Sequence, residues 1–156
     1  MFLILNTADD AKIIFLRIVV GLVFISEGIQ KYLFLQVLGP AFFQDIGFRH
    51  ATFWAYFTGA FEMTCGLLVM VGLVTRFASI PLFIIMITAF IRVKLPLLHT
   101  QGFWNFAHQY NIEFALTILL VVLFLHGGGK WSADSGILRA ISKKAEKQAT
   151  GSSSLH

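Results

Sequence analysis

The chain has 156 residues, 57% of them hydrophobic and 13% charged, with a mean hydropathy of +0.78 and a net charge of +4. A soluble domain carries about 25% charged residues, so half that fraction beside 17 Phe excludes an ordinary water-facing surface and describes one integral membrane domain. The only cysteine, Cys65, excludes an internal disulfide and a CxxC redox pair, and neither a Gly-rich phosphate loop nor a basic-aromatic ladder for nucleic acid is present.

Met1 to Asp10 lacks a basic n-region and an A-x-A site, so the first apolar run is expected to stay in the membrane as an anchor. A spanning helix needs about 20 apolar residues. Four stretches meet that need, residues 13–31, 52–73, 77–91 and 112–126, which predicts an all-α four-helix transmembrane bundle over 1–141 and a polar tail over 142–156. The third stretch is short and is expected to continue past Arg92 toward Leu98, with Pro81 in its first turn, where a missing N–H costs little. Gly127, Gly128 and Gly129 end the fourth.

Four spans bring both ends of the bundle to one side. That side holds Lys12, Arg17, Arg76, Lys130, Arg139, Lys143, Lys144 and Lys147, and the other holds Lys31, Arg49, Arg92 and Lys94. The excess of cations predicts cytoplasmic termini. The two outer connections, 32–51 and 94–111, are rich in aromatic residues (Phe34, Phe42, Phe43, Phe48; Phe103, Trp104, Phe106, Tyr110). Such loops are expected to lie as interfacial or half-inserted segments over the outer end.

The charged residues within the spans are the informative ones. Glu62 lies at the centre of the second span, where a charge costs roughly 2.5–3.5 kcal/mol on insertion scales. Ala55, Gly59, Glu62, Gly66 and Val69 form one helical stripe, so the carboxylate faces inward among small residues that permit close helix packing. In the first span Arg17, Val20, Phe24, Glu27 and Lys31 form a second stripe, which predicts an inward Glu27. Glu113 opens the fourth span with Thr117 a turn below it, and Arg92 and Lys94 close the third. Arg76 lies 14 residues from Glu62, roughly 21 Å along a helix, too far to pair with it; Lys31 and Arg92 remain as partners. His99 and His108 do not have the spacing of a metal site, and His126 sits beside the glycine stop, so no metal or haem is expected.

Three motifs in order carry a resemblance. LRIVVGLVFISEGIQK (Leu16 to Lys31) resembles LR-x-x-x-G-x-x-F-x-x-x-G-x-x-K, GAFEMTCGLLVMVGLVTRFAS (Gly59 to Ser79) resembles G-x-x-E-x-x-x-G-L-x-L-x-x-G-x-x-T-R-x-A, and GGGKWSADSGI (Gly127 to Ile137) resembles G-x-G-x-x-S-x-D. The chain looks like a member of the DoxX family over all but its tail. The resemblance implies a four-helix protein of the bacterial inner membrane; relatives include a subunit of an archaeal thiosulfate:quinone oxidoreductase. Many relatives carry His where this chain has Glu27, which keeps a titratable group there and changes its working pH.

Two functional readings follow. In the first the chain is a redox-associated subunit whose outer-half polar pocket takes a quinone head group or a similar small molecule. Glu62 would accept or share a proton, Glu27 and Glu113 would relay it, and Lys31 and Arg92 would balance charge. Phe24, Phe57, Phe61 and Trp104 would wall the ring, and electrons would come from a partner oxidoreductase. In the second the chain is a carrier or an assembly subunit without catalysis, able to form a homo-oligomer in which Gly59 and Gly66 face another protomer.

Overall fold

A computed structural model describes residues 10–129, 132–137 and 142; the predicted polar tail, apart from Ser142, and the cations Lys130, Arg139, Lys143, Lys144 and Lys147 lie outside the described residues. The chain runs through α1 (Asp10–Leu33), a short α2 (Pro40–Asp45), α3 (Ala51–Val71), α4 (Thr75–Ala89), a π-helical turn (Phe90–Lys94) and α5 (Leu95–His126). Four segments are long and apolar enough to cross a membrane: Lys12–Leu33, Ala51–Val71, Thr75–Thr100 and Gly102–His126. No strand occurs among the described residues.

The closest packing joins α1 to α3. A Cβ at Gly21 would lie 2.7 Å from the carbonyl oxygen of Gly66, and one at Gly28 would lie 2.7 Å from that of Gly59. The two backbones therefore touch where neither has a side chain, the route by which membrane helices associate without a hydrophobic drive between them. Gly59 and Gly66 thus face α1 of the same chain and are not free for a second protomer. Around this pair Val20, Phe24, Cys65, Val69, Leu82, Met86, Leu116, Leu120 and Leu123 form the core.

The same packing corrects the reading of α1. Its buried stripe contains Arg17, Val20 and Phe24, as the periodicity predicts, together with Ile13, but continues through Gly28 while Glu27 is exposed. Contact with Gly59 is closest where there is no side chain, and that fixes the rotation of the helix at its loop end.

The second outer connection is also corrected. Residues 94–111, expected as an interfacial loop, are helical: the third span continues to Thr100 and the fourth starts at Gly102. Gly102, at φ 81° and ψ 168°, is the one non-helical residue within α5 and reverses the chain. That region of backbone space is essentially restricted to glycine. The two arms then run antiparallel, with Lys94 Nζ donating to Gln109 O at 3.0 Å and the Phe90 and Tyr110 rings 4.9 Å apart. In a bilayer the backbone must satisfy its own hydrogen bonds, and extending both helices does this better than a long loop. The first outer connection does break from helix, as turns around α2 in which the Phe43 ring is buried and meets Phe42 and Phe48.

At the opposite end, called here the tail end, α3 passes to α4 through Gly72 and Val74, both left-handed (φ 78° and 50°). Because α4 opens at Thr75, Pro81 lies beyond the first turn and inside the helix. A β-branched residue such as Val74 rarely takes positive φ, and its amide is held by Asp134 Oδ2 at 2.8 Å. Asp134 comes from the segment after α5. Gly127 and Gly129 (both φ 74°) turn that segment back, and Ser132 caps its short helix by accepting the Ser135 amide at 3.2 Å. Arg17, 4% exposed, donates to the Gly128 carbonyl and interacts electrostatically with Asp134. The LR, TR and G-x-x-S-x-D motifs, far apart in sequence, meet here.

Candidate functional site

Glu62 is 4% exposed near the middle of α3. Its partner is Lys31, whose Nζ lies 2.6 Å from Oε2; the two side chains are 13% and 5% exposed. The difference in depth between them is bridged by the lysine stem. The Lys31 Cβ packs beside Gly59, at 3.5 Å from where a Cβ there would stand. Glu62 is one turn deeper, about 4.5 Å at 1.5 Å per residue, and a four-carbon chain covers that distance. The Lys31 Nζ also reaches Glu27 O at 3.4 Å. Tyr32 closes the loop side of the pair: its ring would meet any side chain at Gly59, it stacks on Tyr56 at 5.2 Å, and its hydroxyl donates to Tyr56 O at 2.7 Å.

The other named residues separate from this pair to different degrees. Glu27 is exposed, though near enough for its charge to act on Glu62. Glu113 pairs with Lys94 at 2.6 Å within the hairpin of the last two spans, and Thr117 donates to Glu113 O at 2.7 Å. Arg92 meets neither acid; its guanidinium stands over the Phe48 ring at 5.2 Å, tying the π-helical turn to the residues after α2. Among the described residues the spans therefore hold the ion pairs Lys31–Glu62 and Lys94–Glu113, on different helix pairs. Periodicity could not divide them so, because the choice of partner depends on which helices touch.

The aromatic candidates also divide. Phe24 is buried in the core. Phe57 and Phe61 are 4.6 Å apart on the outer face of α3 and continue a ladder from Phe53, which stacks on Phe57 at 5.4 Å. Trp104 is 83% exposed at the hairpin tip and meets Phe103 edge-on, away from that ladder. Among the described residues no group of three or more His, Cys, Asp or Glu side chains is placed to hold a metal. What the Lys31–Glu62 pair can do chemically is donate from an ammonium and accept at a carboxylate within a region otherwise poor in polar groups.

The DoxX family model matches residues 13–95, which contain the first two motifs and both members of the pair. The chain belongs to the DoxX family. It is 40% identical over 148 residues to the uncharacterized membrane protein Rv3486 of Mycobacterium tuberculosis, an alignment covering 91% of this chain and 88% of that one. It is 30% identical over 115 residues to a protein of Bacillus subtilis named "Putative oxidoreductase CatD", covering 72% of this chain and 84% of the relative. No solved structure matches it.

Proposed function

We propose that this DoxX protein is a redox-associated subunit of the bacterial inner membrane, its tail end cytoplasmic, in which the Lys31–Glu62 pair meets the polar head of a quinone or a similar small molecule. The observation that carries the reading is the burial of Glu62 at mid-span against a lysine, since ionisable groups at that depth are costly and by default functional. The name of the Bacillus subtilis relative supports the redox class.

A quinone supplies its own redox chemistry, and electrons would come from a partner oxidoreductase. This chain's part is then to bind and to move a proton. Lys31 Nζ donates to a carbonyl oxygen, Glu62 accepts or returns a proton at Oε2, and the Phe57 and Phe61 rings on the lipid side of α3 guide an apolar ring toward them. Glu27, exposed beside the pair, would pass the proton onward.

Organic extraction of the purified protein is the test. The wild type is expected to yield a bound quinone, and Glu62→Gln, which keeps shape and removes the charge, to lose it while the fold is retained by circular dichroism. Unchanged ligand content in a folded Glu62→Gln protein would overturn the reading. If that variant instead abolishes solute flux into liposomes, the carrier alternative replaces it.

A further inference from the structure

We propose that the cleft at the tail end, between the start of α4 and the segment after α5, binds one phosphate-class anion, supplied by a phospholipid headgroup or by free phosphate. The cleft has a volume of about 390 Å³, and Thr75, Arg76, Gly127, Gly128 and Asp134 line it. This site is remote from Lys31 and Glu62 and does not depend on the quinone reading.

Three independent features point to an anion. First, α4 is a 15-residue helix that begins in the cleft, and no side chain hydrogen-bonds its cap. The first amides of a helix have no acceptor within it and carry the positive end of its dipole. Asp134 occupies only the Val74 amide, which precedes them.

Second, Thr75 is 2% exposed and its hydroxyl oxygen has no hydrogen-bond partner among the described residues. It lies on the floor of the cleft beside Gly128, where a Cβ would stand 3.0 Å from it. Buried hydroxyls are normally paired, so an unpaired one beside unused helix amides marks a place for an acceptor.

Third, the guanidinium of Arg76 lines the cleft. Arg76 spends one nitrogen on Leu125 O at 3.1 Å and is otherwise exposed, which leaves further donors in its fork.

The walls suggest the lipid as the source. Phe77 and Ile137 flank the opening and are exposed, and the cleft lies at the end of the spanning segments, the level at which headgroups stand. A phosphodiester can lodge on the amides while its acyl chains follow the Phe77 side of α4.

The test uses the purified full-length protein, delipidated in detergent and titrated with dihexanoyl phosphatidylglycerol or with inorganic phosphate while thermal unfolding is followed. The phosphatidylglycerol is expected to raise the Tm saturably. Arg76→Gln should raise the half-saturating concentration about tenfold, the equivalent of one charge-assisted contact. Because Arg76 also holds the end of α5, Arg76→Lys is made beside it and should lose less.

Thr75→Val separates a ligand contact from a merely unpaired hydroxyl. The proposal expects weaker lipid binding at an unchanged or higher Tm without lipid; a raised Tm with unchanged binding would overturn it. A saturable shift with phosphate alone, abolished by the same variants, keeps the site and assigns it to the free anion. No shift of the wild type with either probe also overturns it.

Discussion

At the scale of single residues, the decisive contact is the 2.6 Å pair of Lys31 and Glu62, both largely withdrawn from the surface. Removing one member of a buried pair leaves an uncompensated charge and typically costs about 3–5 kcal/mol, whereas replacing both with apolar residues of similar volume is close to neutral. Lys31→Met and Glu62→Leu are therefore each expected to destabilise the protein strongly, and the double variant to recover most of the loss. Unfolding in mixed micelles measures the three differences, and simple addition of the single losses would show that the two residues are not coupled. The sequence identified Glu62 as inward and Lys31 as one of two partners, since α3 carries a clear small-residue stripe. It misplaced Glu27 by one position, because the rotation of α1 is set by glycine contacts that periodicity does not weigh.

At the scale of elements, helix contact and helix reversal both rest on glycine, for different reasons. Gly28 is steric: its neighbour is a backbone carbonyl, which cannot rotate away as a side chain can. Gly28→Ala should thus force α1 from α3 at a cost of about 1–3 kcal/mol, as overpacking generally does. Gly136 has nothing within 4 Å of an added Cβ among the described residues, so Gly136→Ala is the control and should change the Tm little. Equal Tm values for the two variants would remove close backbone contact as the basis of the α1–α3 pair. Gly102 also has open space around it, yet its φ of 81° with ψ of 168° admits little but glycine. Gly102→Ala should weaken the hairpin by backbone strain alone. Hydrogen exchange of the amides between Leu95 and Gln109 would report it, and unaltered exchange would contradict it.

At the scale of the whole molecule, the tail end works as a clasp. Arg17 of α1 holds the Gly128 carbonyl, and Asp134 holds the Val74 amide between α3 and α4, so the segment after α5 fastens the first helix to the turn between the next two. A Cβ at Gly72 would stand 2.5 Å from a guanidinium nitrogen of Arg17, which shows how closely the parts fit. Arg17→Gln and Asp134→Ala should each loosen the segment and speed proteolysis after Gly127, and the double variant should be little worse than either, because both residues serve one clasp. Additive acceleration would mean two separate anchors.

The sequence by itself determined the environment, the helical class, four membrane crossings, the family and the inward face of α3. These follow from composition and from local periodicity, which depend only on residues near each other in the chain. Only the tertiary structure decided which charges pair, that residues 94–111 extend two helices around Gly102, and that Arg17, Val74, Gly128 and Asp134 converge. Those are matters of which helices touch and how each is rotated about its axis, and close contact between bare backbones settles them. Glu62 could be seen as a buried acid from its stripe alone; that its counter-ion is a lysine on α1, one turn nearer the surface, required the packing of α1 on α3.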